Sequence, residues 1–119
     1  MSNSKENDNG RYFEYLISKE LEEKFKLVLT ERAKADQERD REKQIAPKTY
    51  DQMLSATKKI VDWLQSELSI DEHSILDRLP DKNAMGFSHE DISIQDANNR
   101  KINFSLKHNH SAVFHGRIV

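Results

Sequence analysis

Near its C-terminal end the chain carries SLKHNH, Ser105 to His110, which sets a lysine, two histidines, an asparagine and a serine where an alternating apolar pattern stops. Ile92 and Ile94 alternate with Asp91, Ser93 and Gln95, and Ile102, Phe104 and Leu106 alternate with Asn103, Ser105 and Lys107. A period of two predicts a β-hairpin with one apolar and one polar face, and the intervening DANNR is rich in turn formers. With Ile94 beside Ile102, Asp91 faces Ser105 and lies diagonal to Lys107, roughly 7–8 Å away and within reach of a shared ligand.

An acid and a lysine on one face suit phosphodiester hydrolysis, which needs a bound divalent cation, an activated water and relief of charge on the phosphoryl group. The carboxylate would hold Mg²⁺, which takes only one or two carboxylates beside substrate oxygens. The lysine would orient or deprotonate the water and offset developing charge. Acid–lysine pairs across hairpins also serve solubility, so the residues alone leave both readings open.

A second carboxylate stands out in the N-terminal part. At about 100° per residue, Phe13, Ile17, Leu21, Phe25 and Val28 fall in one sector about 120° wide, which predicts a core-facing helix. Glu14 lies inside that sector, where a charge is costly unless it is paired, bound to metal or beside water. A first-turn glutamate stabilised by the helix N-terminus is the plainer alternative.

The elements that would position these groups are mostly helical. Glu31 to Lys48, ERAKADQERDREKQIAPK, mixes both charge signs and predicts a solvent-exposed helix extension. Thr49 and Gln52 form a capping-box pattern after Pro47, and Tyr50, Met53, Leu54, Thr57, Ile60, Val61, Leu64 and Leu68 share one sector of a second helix. Trp63 lies off that stripe. A short third helix is expected from Asp71 to Leu79 with Ile75, Leu76 and Leu79 inward, before LPDKN turns the chain.

The 119 residues suffice for one ordinary domain. With 35% hydrophobic and 34% charged residues the core is thin, and 19 basic against 21 acidic residues give no bulk positive charge, so any DNA affinity must be local. The chain has no cysteine for disulfides or thiolate metal sites. MSNSKENDNG lacks the apolar stretch of a secretory signal and no run could span a bilayer, so a cytoplasmic setting is expected.

NDNGRYFEYLISKEL, the strand DISIQD, and FSLKHNHSAVFHGRI resemble the HaeIII family of type II restriction endonucleases, in order from Asn7 to Ile118. The most specific part is SLKHNH followed by Ala112-Val113 and His115-x-Arg117. The resemblance implies an α/β core similar to the PD-(D/E)xK nucleases, with a helix before a mixed sheet. It also implies Mg²⁺-dependent cleavage of double-stranded DNA at a short site, GGCC for the family's namesake. By motif, Asp91 matches the metal-binding aspartate, Lys107 the catalytic lysine, and Ser105 the usual acidic position, in an S-x-K form that looks shared with the family. Glu14 resembles the helix glutamate that several such nucleases point at their metal. His108, Asn109, His110, His115 and Arg117 are the implied phosphate and base contacts, and a homodimer is a possible assembly. The chain departs from the family at Phe114 and Gly116, where a basic and a small hydroxyl residue are expected. Pro80-Asp81 spells the motif's first letters, but its turn context favours Asp91.

Rival readings use the same letters. Consecutive His108, Asn109 and His110 do not make an HNH nuclease, whose residues come from separated positions. His108, His110 and His115 lack a cysteine or close carboxylate to complete a zinc shell. The serious alternative is a chain that is no enzyme, a truncated remnant without catalytic activity, and a third reading is a helical interaction module. The chain ends twelve residues past Lys107, and family members are much longer. The expectation is therefore a single partial nuclease domain over 1–119, α+β in this form, with its helical part over 8–79, its hairpin over 89–110 and a C-terminal remainder absent. Such a hairpin would keep an unpaired edge and an exposed apolar face, and the chain would be inactive.

Overall fold

The computed structural model describes residues 4–67, 70–79, 91–106, 112–114 and 117–118. Its elements run α1 (Ser4–Phe25), β1 (Val28–Leu29), α2 (Glu31–Asp40), α3 (Pro47–Glu67), β2 (Ile75–Arg78), β3 (Ile92–Gln95), β4 (Lys101–Leu106), β5 (Ala112–Phe114) and β6 (Arg117–Ile118). The fold is α+β. Among the described residues six strands form one sheet in chain order, with β1 parallel to β2 and the other pairs antiparallel.

In α1, Phe13, Ile17 and Leu21 are buried as the 3.6-residue period requires, and Leu16 joins them. Val28 departs from that expectation: it lies in β1 and is 48% exposed. The helix stops three residues earlier because Lys26 takes a left-handed φ of 55°, and Leu27 N donates to Glu22 O across the C-terminus. This is a Schellman closure with lysine in the place that glycine usually fills.

The charged stretch is not one continuous helix extension. Thr30 caps a separate helix, its Oγ1 accepting from Ala33 N, and α2 ends at Asp40. The next helix starts two residues before the expected Thr49 cap: Tyr50 N donates to Ala46 O, and Pro47 takes the first helical position, where its missing N–H costs nothing. Its apolar stripe is as predicted, with Met53, Thr57, Ile60, Val61 and Leu64 buried along α1, while Leu68 lies outside the described residues.

Asp71 to Leu79 is not a helix. Ser74 Oγ donates to Asp71 O in a turn, His73 takes a φ of 67°, and Ile75 to Arg78 form β2 between β1 and β3. Burial alternates along it, with Leu76 and Arg78 buried beneath the helices, Ile75 exposed and Asp77 half-buried. Four residues with apolar side chains at both i and i+1 fit either period, and strand pairing decides.

The β3–β4 register is the expected one, Ile94 opposite Ile102 and Ile92 opposite Phe104. DANNR makes the turn: Asp96 Oδ1 accepts from Asn98 N and Arg100 N, and Asn99 adopts a φ of 64°. The expectation of an unpaired hairpin edge is corrected, because β2 flanks β3 and β5 flanks β4. Ile92, Ile94 and Phe104 are buried in the same core as α1 and α3. Even the polar face is partly closed, with Ser93 and Ser105 both buried.

Candidate functional site

The carboxylate of Asp91 is fixed where β2, β3 and β4 meet. Its N–H donates to Phe104 O, its carbonyl accepts from Leu79 N, and Oδ2 accepts from Leu106 N at 2.7 Å. The last bond ties an acid to the residue just before Lys107. Continuing the ladder by one position brings Asp91 alongside Ser105, as the sequence pattern anticipates.

Glu14 reaches the same region from α1. That helix begins at Ser4, so Glu14 sits in its middle and the first-turn explanation fails. Its side chain retains 22% exposure, and Oε1 accepts from Arg78 Nη2 at 3.1 Å. Burial, then the nearby negative charge of Asp91, push its carboxyl up to about 7 against the pull of the Arg78 guanidinium. A carboxylate whose ionisation is opposed by burial and by a second carboxylate is a common signature of a cation or proton-transfer site.

Behind Glu14 lies a buried ionic cluster that the sequence did not reveal. Arg78, 1% exposed, donates from Nη2 to Asp40 Oδ2 at 2.7 Å and from Nη1 to Gln37 Oε1 at 2.9 Å. Nη2 also approaches the Arg11 carbonyl at 3.4 Å, and Nε has no partner among the described residues. Asp40 is wholly buried and takes two 2.8 Å bonds from Arg39. Burial opposes its ionisation, but the hydrogen bonds from Arg39 and Arg78 hold its carboxyl below the ordinary range. The available signal was the spacing of Leu76 and Arg78, which shares a face only if that segment is a strand. Asp40 looked like one more solvated charge in a mixed run.

The structure thus brings Glu14, Asp91 and Ser105 to one end of the sheet, with Ser105 7% exposed. Lys107, His108, Asn109, His110 and His115, like Pro80 and Asp81, lie outside the described residues. Arg117 is placed in β6, opposite Phe114. Among the described residues, no group of three or more His, Asp or Glu is arranged to hold a metal. Glu14 and Asp91 are two carboxylates close enough for one to feel the other's charge, and one or two carboxylates are the usual protein share of a Mg²⁺ shell. Likewise, no helix among the described residues is long and apolar enough to cross a membrane. Comparison with protein-family models, curated proteins and solved structures gave no match to this chain.

Proposed function

We propose that the chain is a Mg²⁺-dependent nuclease of the HaeIII type, acting on double-stranded DNA at a short site. Glu14 and Asp91 hold the cation, and Lys107 acts on the attacking water. The observation that carries this reading is that Glu14 bonds Arg78, whose strand partner Ile92 directly follows Asp91, while the Asp91 carboxylate is tied to Leu106, the neighbour of Lys107. When bound, the cation supplies charge stabilisation at the phosphoryl oxygens. Asp91 enters the site with its orientation already fixed by three backbone partners, so little reorganisation is needed there. Lys107 donates to the water or takes its proton, and its positive charge offsets the negative charge on the phosphoryl oxygens as the water–phosphorus bond forms and the bond to the departing ester oxygen breaks. His108, Asn109, His110, His115 and Arg117 supply phosphate and base contacts. The expected inactivity rested on an uncovered hairpin and on an absent C-terminal part; the paired edges of β3 and β4 answer the first of these. The helical-module alternative has less support, because the apolar stripe of α3 is spent inside the chain.

The test is cleavage of supercoiled and linear DNA with and without Mg²⁺. Cleavage that needs Mg²⁺, vanishes in Asp91→Asn and falls sharply in Lys107→Ala supports the reading. A protein that cuts equally well after Asp91→Asn, or never cuts any DNA with Mg²⁺ or Mn²⁺, would sink it.

A further inference from the structure

The cluster behind Glu14 is a poor way to gain stability. Buried ion pairs recover little more than their desolvation cost, and apolar side chains of similar volume often do better. What the cluster does accomplish is to divide one guanidinium between two anions. Arg78 Nη2 makes its shorter contact, 2.7 Å, with Asp40 and its longer one, 3.1 Å, with Glu14. Nη1 is taken by Gln37, and Asp40 is gripped from its other side by Arg39. An arginine facing a lone carboxylate favours a two-pronged pairing that occupies both oxygens. Here Glu14 yields Oε1 alone, and among the described residues Oε2 accepts no hydrogen bond.

We infer that Arg78, shared with Asp40, is a positioning residue: it anchors Glu14 by one oxygen and leaves the other for a divalent cation held jointly with Asp91. This rests on the metal-site reading above. Asp40 touches neither cation nor DNA in this arrangement. Its part is to draw the guanidinium away from full engagement of Glu14. Partners of this kind, one contact removed from the metal, commonly change metal affinity by about 10–100-fold when altered.

The experiment is Mn²⁺ binding to the full chain, without DNA, followed by titration calorimetry and by the Mn²⁺ electron paramagnetic resonance signal. Glu14→Gln and Asp91→Asn should abolish binding. Arg78→Lys keeps the charge but loses the fork, and Asp40→Asn keeps an acceptor oxygen but loses the competing charge. Each should weaken Mn²⁺ binding about 10–100-fold while thermal unfolding stays cooperative. If both variants melt at lower temperature yet bind Mn²⁺ with wild-type affinity, the cluster is structural and the positioning role is wrong, while the metal site stands. Should Arg78→Lys fail to fold, Asp40→Asn decides alone, and unchanged or tighter binding in that variant overturns the inference. Absence of Mn²⁺ binding by the wild-type chain would overturn the metal site and the positioning role together.

Discussion

Replacing Glu14 by glutamine should make the metal-free protein more stable at pH 8, by up to about 3–4 kcal/mol. The native carboxyl titrates near 7 where an ordinary glutamate has 4.5, so the native state binds more protons than the unfolded chain between those values. Stability contributed by this group is therefore present below pH 4.5 and lost as the pH rises through 7. At about 1.4 kcal/mol for each pH unit, an interval of 2.5 gives the quoted figure. Glutamine keeps an acceptor for Arg78 and carries no charge beside Asp91. Urea unfolding at pH 5 should thus find the two proteins nearly equal, and at pH 8 it should find the variant ahead. Mg²⁺ should restore stability to the wild type at pH 8 and not to Glu14→Gln, since a ligand that binds only the native state stabilises it. The reasoning is refuted if Glu14→Gln is the less stable protein at pH 8. That result would mean the Arg78–Glu14 pair outweighs burial and the repulsion from Asp91.

Thr30→Ala removes both the α2 cap and the 2.7 Å bond that Thr30 Oγ1 donates to Asp77, and should cost about 1–2 kcal/mol in urea unfolding, with Thr30→Ser recovering most of it. The Ile94 amide, on a buried strand with a partner on each side, should exchange as slowly as global unfolding permits, whereas fast exchange there with protection confined to α3 would contradict the central placement of β3.

Part of this arrangement could be read directly from the letters. The α3 stripe spans five turns, long enough for its period to be unambiguous, and the hairpin register follows from matching Ile94 with Ile102 around a strong turn. Glu14 announced itself because a charge on an apolar stripe demands a partner. Other elements were hidden by coincidence of period. Val28 follows Phe25 by three residues and so fits a helix stripe, yet Lys26 has already ended the helix. Ile75, Leu76 and Leu79 mimic a helix turn, while the strand is made by pairing with Val28-Leu29 and with β3, neither of which is adjacent in sequence. The Arg78–Asp40 contact spans 38 residues, and nothing in a run of mixed charge marks which acid is the buried one.

Asp77 and Arg78 are neighbours in β2, yet they grip opposite ends of α2. Asp77 accepts from Thr30 and Arg32 at its start, while Arg78 donates to Gln37 and Asp40 near its finish. Consecutive strand residues point to opposite faces, so inserting or deleting one residue within β2 would turn both side chains to the wrong face. A shift one way would bring Arg78 to Arg32, and a shift the other way would bring Asp77 to Asp40. The joint is keyed by charge, and it admits only one alignment of helix and strand. Length variation among descendants of this sequence should therefore gather in the stretch 41–46 between α2 and α3, where the backbone is free of sheet pairing, and should be absent from 28–40 and 75–78.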